Sequence, residues 1–203
     1  MNATTVGADD ALKYRTALVD ALRGDGQITS PAVEQAFLTV PRHLFVPAET
    51  TLEAAYKASD SVPIKRDGDG VVISSTSAPF IQALMIEQAG LVEGMSVLEV
   101  GSGGYNAALL AEVVGPTGQV VSVDIDADVT ERASTLLAAT GYDDRVRVAL
   151  VDAEHEVPDL DPVDAIIVTV GAWDLSPAWL AQVKPNGVIV VPLRMNGITR
   201  SIG

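Results

Sequence analysis

Val97-Leu98-Glu99-Val100-Gly101-Ser102-Gly103-Gly104-Tyr105-Asn106 runs from an apolar, strand-like segment through a glycine-rich turn into a sequence with helical spacing. Glycines in such a turn let the backbone approach a ligand closely and adopt φ values that other residues resist. A turn of this kind opening a helix is where α/β sheets hold a nucleotide or nucleoside. Taken alone the signal is weak, because a tight turn can need glycines for steric reasons only.

Short β-branched runs alternate with helical patterns on the C-terminal side of this stretch. Strands are predicted over residues 96–100, 119–123, 146–150, 165–169 and 187–191, with helices over 106–114, 128–140 and 176–183 between them. That alternation indicates βαβ units and a parallel sheet. The fold class is therefore α/β, a doubly wound Rossmann-like core with a mostly parallel sheet. On the N-terminal side, residues 10–23 have helical periodicity, and Ser30-Pro31 starts a second helix that Pro41 ends. Ser30 suits the N-cap, Pro31 the first helical position, and Glu34 stands near the place of a capping-box partner. Residues 41–77 carry Pro47, Pro63 and Asp67-Gly68-Asp69-Gly70 and read as a loop-rich cover. A helix follows Pro79 and ends at Gly90. The organisation expected is an N-terminal helical and loop-rich cover, residues 1–93, and a ligand-binding α/β core, residues 94–203.

With 203 residues, 48% of them hydrophobic, one principal core is expected. The absence of cysteine removes disulfides, thiolate zinc sites and cysteine nucleophiles. A formal charge of −14, from 13 Lys and Arg against 27 Asp and Glu, disfavours nucleic acid as a partner. His43 and His155 lie far apart, so no metal is expected. Charged residues near the start and the lack of long apolar runs predict a cytoplasmic protein with no membrane association.

The ends of the next two strands carry acids. Asp124 closes the second strand about 20 residues beyond the glycines, where a carboxylate can accept two ribose hydroxyls. It can also cap the next helix, although Asp126 and Asp128 are better placed for that. Asp152 closes the third strand, either to accept an adenine amine or as a solvated loop acid. A dinucleotide enzyme would share these loops. After Gly101 and Gly103, however, the GxGxxG pattern requires a glycine where Asn106 stands, and Glu99 supplies an acid at the start of the loop. Both features favour a methyl donor over a nicotinamide.

Several segments together resemble the protein-L-isoaspartate O-methyltransferase family. They are residues 98–109, the Asp124 strand end, the Asp152-Ala153 turn, Val183-Lys184-Pro185-Asn186-Gly187, Ser75-Thr76-Ser77-Ala78-Pro79 and Val40-Pro41-Arg42-His43-Leu44-Phe45-Val46-Pro47. The similarity extends over residues 20–193. Within the family the chain resembles an FxLD-type branch associated with lanthipeptide biosynthesis. That likeness lies in the Gly101–Asn106 loop, one residue shorter than the usual form, and in Thr169-Val170-Gly171-Ala172-Trp173.

The resemblance implies S-adenosyl-L-methionine as donor and S-adenosyl-L-homocysteine as product. It implies a donor site of Glu99, Gly101, Ser102, Gly103, Gly104, Asn106, Asp124, Ile125, Asp152 and Ala153. Ser77 is then the catalytic side chain, with Thr76, Ala78 and Trp173 beside it at the substrate, although Ser77 also suits a helix N-cap. Trp173 and Tyr105 are candidates to flank adenosine or peptide, with buried packing the alternative. The implied acceptor is an Asp or isoAsp carboxylate of a peptide or protein, in particular an Asp of a ribosomally made precursor that goes on to a succinimide. General isoaspartate repair and a non-catalytic peptide-binding module are the competing readings. Because the chain stops at Gly203, soon after residues 198–201 begin a strand, the terminal antiparallel hairpin is expected to be absent. The sheet edge would then be covered by a second copy or a further C-terminal domain.

Overall fold

The near-continuous apolar strands of the C-terminal half can be stable only with both faces of their sheet covered. The structure, a computed structural model, describes residues 8–195 and 198–203 and shows how that cover is built. The N-terminal elements are α1 (Ala8–Gly24), α2 (Pro31–Thr39), a 3-10 turn (Arg42–Leu44), α3 (Leu52–Ala55), the strands β1 (Val62–Arg66) and β2 (Val72–Thr76), and α4 (Pro79–Ala89). The alternating half follows as β3 (Ser96–Val100), α5 (Tyr105–Val114), β4 (Gln119–Asp124), α6 (Ala127–Ala139) and β5 (Val146–Leu150). It ends with β6 (Val163–Val168), α7 (Pro177–Gln182), β7 (Val183–Met195) and β8 (Ile198–Ile202).

The main sheet has the order β5-β4-β3-β6-β7-β8, parallel throughout except for the antiparallel pairing of β7 with β8. Chain order runs outward in opposite directions from β3 and β6. The crevice beyond the carboxyl ends of these two strands is therefore the switch point at which such sheets bind ligands. On one face Val97, Val120, Ala165 and Ile167 pack with Leu109 and Leu110 of α5 and with Leu18, Phe37 and Phe45 from the N-terminal segment. On the other face Leu98, Val123, Ile166 and Val168 pack with Trp179 of α7 and with Val157.

Three local expectations change. Residues 62–76 are not loop but a two-stranded antiparallel sheet, whose register shifts between Pro63 and Lys65 hide any regular alternation. The terminal hairpin is present, because β8 pairs with β7 from Val191↔Ile202 to Met195↔Ile198. Ser30 does cap α2, accepting the Val33 N–H at 3.4 Å, but Glu34 does not complete a capping box. Its place is taken by Glu87 of α4, which accepts the Ser30 N–H at 2.8 Å, while Glu34 pairs with Arg23. Among the described residues no helix is long and apolar enough to cross a membrane, and no group of three or more His, Asp or Glu is placed to hold a metal ion.

Candidate active site

Gly101 leaves β3 at φ 105, a conformation that L side chains rarely adopt, and a Cβ there would overlap Thr169 Oγ1. Thr169 in turn donates its hydroxyl to the carbonyls of Val100 and Gly101 at 3.1 and 3.0 Å. The glycine loop is thus pressed onto the end of β6. Gly104, at φ 84, leads directly into α5.

Beneath the loop lies a buried polar cluster. Asn106 donates to Glu99 Oε1 at 2.9 Å, Ser122 donates to Glu99 Oε2, and the Ser122 and Ser102 hydroxyls are 2.9 Å apart. Glu99 is fully buried, and this desolvation pushes its carboxyl up to about 7 despite the two hydrogen bonds that favour the charged form. The side chains of Glu99, Ser102 and Asn106 therefore point inward and hold the loop from below. The family resemblance implied donor roles for all three, and Glu99 and Asn106 also line a narrow cavity beside the loop.

Asp124 faces the same loop from β4. Its Oδ2 accepts the Ser102 N–H at 3.0 Å and its Oδ1 the Asp126 N–H at 3.0 Å. The cap of α6 is Asp126, which accepts from Asp128 and Val129. Asp124 is thereby left at the edge of a cavity of about 530 Å³ lined also by Gly101, Ile125, Asp152, Ala153, Gly171 and Trp173. Ile125 is 74% exposed and Trp173 75% exposed on its rim. Asp152 turns one oxygen to the Glu154 N–H at 3.0 Å, and the Ala153 carbonyl accepts Trp179 Nε1–H at 2.7 Å.

A second, narrow cavity of about 20 Å³ adjoins the loop from the other side, lined by Ser75, Thr76, Ser77, Gly101, Gly103 and Thr169 among others. Here the serine-rich segment at the end of β2 meets the glycine loop. Ser77 is half-buried and caps nothing: the N-cap of α4 is Ala78, which makes no side-chain hydrogen bond. Thr76 is buried with its hydroxyl toward the Phe45 carbonyl, and Ala78 is buried as well.

The segment is held by Arg42, which sequence reasoning saw in a motif without giving it a role. Its buried guanidinium donates to the carbonyls of Ser77 at 2.8 Å and Ala55 at 2.6 Å and to Gln82 Oε1 at 2.9 Å, and it lies 4.8 Å from the Tyr105 ring centroid. Gln82 passes the connection on to Asn106. Tyr105, packed against Phe37 and Phe45, is a core residue that also borders the narrow cavity and is absent from the lining of the larger one. Lys65 of β1 adds a surface clasp, reaching Asp126 and Asp128 at 2.6 and 2.7 Å. Thr169 and Ser122 were also missed, since a lone hydroxyl in a strand pattern does not announce a partner.

The model of the family "Protein-L-isoaspartate(D-aspartate) O-methyltransferase (PCMT)" matches residues 13–201 of the chain. The chain belongs to this family. It is 41% identical to the protein-L-isoaspartate O-methyltransferase of Hyperthermus butylicus over 187 residues, covering 88% of this chain and 74% of that protein. To the same-named protein of Methanopyrus kandleri it is 40% identical, covering 92% and 80% of the two chains. A solved protein-L-isoaspartate O-methyltransferase superposes with TM-score 0.80 at 34% identity, over 88% of this chain, which spans 55% of that chain's length. A Plasmodium falciparum structure, a putative protein-L-isoaspartate O-methyltransferase in complex with S-adenosyl-L-homocysteine, matches in fold with TM-score 0.79 at 19% identity.

As a family member the chain is an S-adenosylmethionine-dependent protein carboxyl O-methyltransferase. The residues present fit that cofactor. The larger cavity has the size of a small-molecule site, a carboxylate at the end of β4, a second acid after β5, and Gly101, where no Cβ fits.

Proposed function

We propose that this methyltransferase esterifies the free carboxylate of an isoaspartyl residue in a peptide or protein, as a repair enzyme does. The observation that carries the reading is the meeting of Ser75–Ser77 with Gly101, Gly103 and Thr169 around the narrow cavity, directly beside the larger one. In this reading Asp124 accepts the ribose hydroxyls, Asp152 the adenine amine, and the backbone of Gly101–Gly104 faces the amino-acid portion of the donor. When bound, S-adenosylmethionine supplies an electrophilic methyl group.

A peptide carboxylate is already ionised at neutral pH, so the protein needs no general base for it. What the chain supplies is alignment and exclusion of water. The Ser77 hydroxyl, free of any capping role, is available to donate to the acceptor carboxylate. Arg42 fixes the Ser77 main chain through its carbonyl, so the hydroxyl is presented from a rigid segment. In the resulting ester methoxide is a workable leaving group, and attack by the next backbone nitrogen closes a succinimide that water reopens to Asp or isoAsp.

A second reading, in which the acceptor is an Asp of a ribosomally made precursor peptide, is favoured by the shortened Gly101–Asn106 loop and by the exposed Trp173 in the Thr169–Trp173 wall. Pockets suited to one partner give specificity that a repair enzyme avoids. Competition kinetics at equal concentration separates the two. Higher kcat/KM for isoaspartyl peptides across unrelated flanking sequences supports repair, and higher kcat/KM for an unmodified Asp precursor rejects it in favour of maturation.

A further inference from the structure

Trp173, in the wall of the larger cavity, is paired with a cation that stands outside the cavity lining. The Arg194 guanidinium carbon lies 5.6 Å from the Trp173 ring centroid. The same guanidinium is pressed onto Gly171, where a Cβ would overlap its Nε. The backbone beneath is fixed by Arg194 N–H to the Ala172 carbonyl at 2.9 Å and Ala172 N–H to the Pro192 carbonyl at 3.2 Å. Cation and ring are therefore organised in advance, with little rotamer freedom left to lose on binding.

The pair also stands out electrostatically. In a chain of charge −14 most basic side chains are already engaged. Among the described residues Lys13, Arg23, Lys57, Lys65, Arg145 and Lys184 form ion pairs, and the Arg194 side chain makes neither an ion pair nor a hydrogen bond. Beside a cavity whose lining carries Asp124, Asp152, Glu154 and Asp174, this cation gives an acidic side chain a partner of opposite charge. Its location relative to the acceptor segment follows from the chain. Thr169 lines the narrow cavity with Ser77, and Gly171, under Arg194, is two residues further on. Two extended residues span at most about 7 Å.

We propose that Trp173 and Arg194 form a recognition shelf for an acidic side chain of the acceptor peptide, about two residues from the residue that is esterified. The proposal rests on the carboxyl-acceptor reading above. The carboxylate pairs with the guanidinium, and the neighbouring peptide atoms cover the free face of the indole.

The test uses synthetic isoaspartyl peptides identical except for Glu, Gln or Lys two places before or after the isoaspartyl residue. Affinity is measured by calorimetry on the protein loaded with S-adenosyl-L-homocysteine, and kcat/KM in parallel. At one of the two positions Glu should exceed Gln by about fivefold, the size of an exposed ion pair, and the difference should shrink with added salt. Arg194→Gln should abolish the preference, and Arg194→Glu should turn it toward Lys with donor affinity unchanged. Equal affinity for the three peptides, or a Glu preference that survives Arg194→Glu, would overturn the proposal. An intact affinity preference without methylation of any peptide would support the shelf and reject the methyl-acceptor reading instead.

Discussion

The Asp124 carboxylate accepts the backbone N–H of Ser102 at 3.0 Å and so joins the end of β4 to the glycine loop after β3. Replacing it with alanine removes both the loop brace and the proposed ribose acceptor. Asp124→Ala should weaken S-adenosyl-L-homocysteine binding by about ten- to a hundredfold, as expected for the loss of hydrogen bonds to a charged group. Calorimetry on the folded variant is the measurement, and unchanged affinity would reject the assignment.

Ser77→Ala should leave the fold and the donor affinity as they are. The N-cap of α4 is Ala78, so removing the neighbouring hydroxyl costs within about 0.5 kcal/mol. Turnover should fall between about ten- and a hundredfold. A parallel loss of thermal stability and donor binding would instead mark Ser77 as structural.

Glu99 gives a pH-dependent prediction. Its carboxyl, about 7 in the folded protein against an ordinary 4.5, binds a proton more tightly folded than unfolded. The stability it contributes is therefore complete below about pH 4.5 and is lost as pH rises through about 7, a swing on the order of 3 kcal/mol. Glu99→Gln should flatten this part of the profile. Denaturant unfolding at pH 5 and pH 8 compares the two proteins, and the same loss of stability in both would exclude Glu99 as its source.

Two glycines of one loop should respond differently to alanine. Gly101→Ala meets Thr169 and Val170 at a positive φ and should destabilise the protein by several kcal/mol. At Gly103 nothing lies within 4 Å of an added Cβ, so Gly103→Ala should change stability by less than about 1 kcal/mol. Melting curves of the two variants decide the matter, and equal shifts would mean the loop conformation differs from the one described.

The parallel core was legible in the sequence because strands covered on both faces must be largely apolar, as Val97, Leu98, Val100 and residues 165–168 are. The cap at Asp126 was legible for a local reason, a short acid immediately before helical spacing. The β1–β2 pair was not, since its strands are short, polar in part and out of simple register, and only their pairing makes them strands. The hairpin of β7 and β8 likewise depends on two segments finding one another. At the site, Asp124, Asp152 and Ser77, expected from strand ends and a motif, line one or other of the two cavities. The inward turn of Ser102 and Asn106 and the reach of Arg42 depend on tertiary partners twenty or more residues away or on rotamers that no spacing encodes.

Arg42 also bears on how such enzymes can diverge. Through the Tyr105 ring, and through Gln82 to Asn106, the segment that presents Ser77 is fitted to the first turn of α5, and Phe37 and Phe45 pack against the same tyrosine. A crossover between relatives at the junction near residue 93 would divide that fitted surface, giving each parent's acceptor segment a foreign helix to rest on. Laboratory shuffling should therefore yield active chimeras when α5 travels with the N-terminal segment and inactive ones when it does not. The unit of inheritance for acceptor preference then includes a helix on the donor side of the molecule.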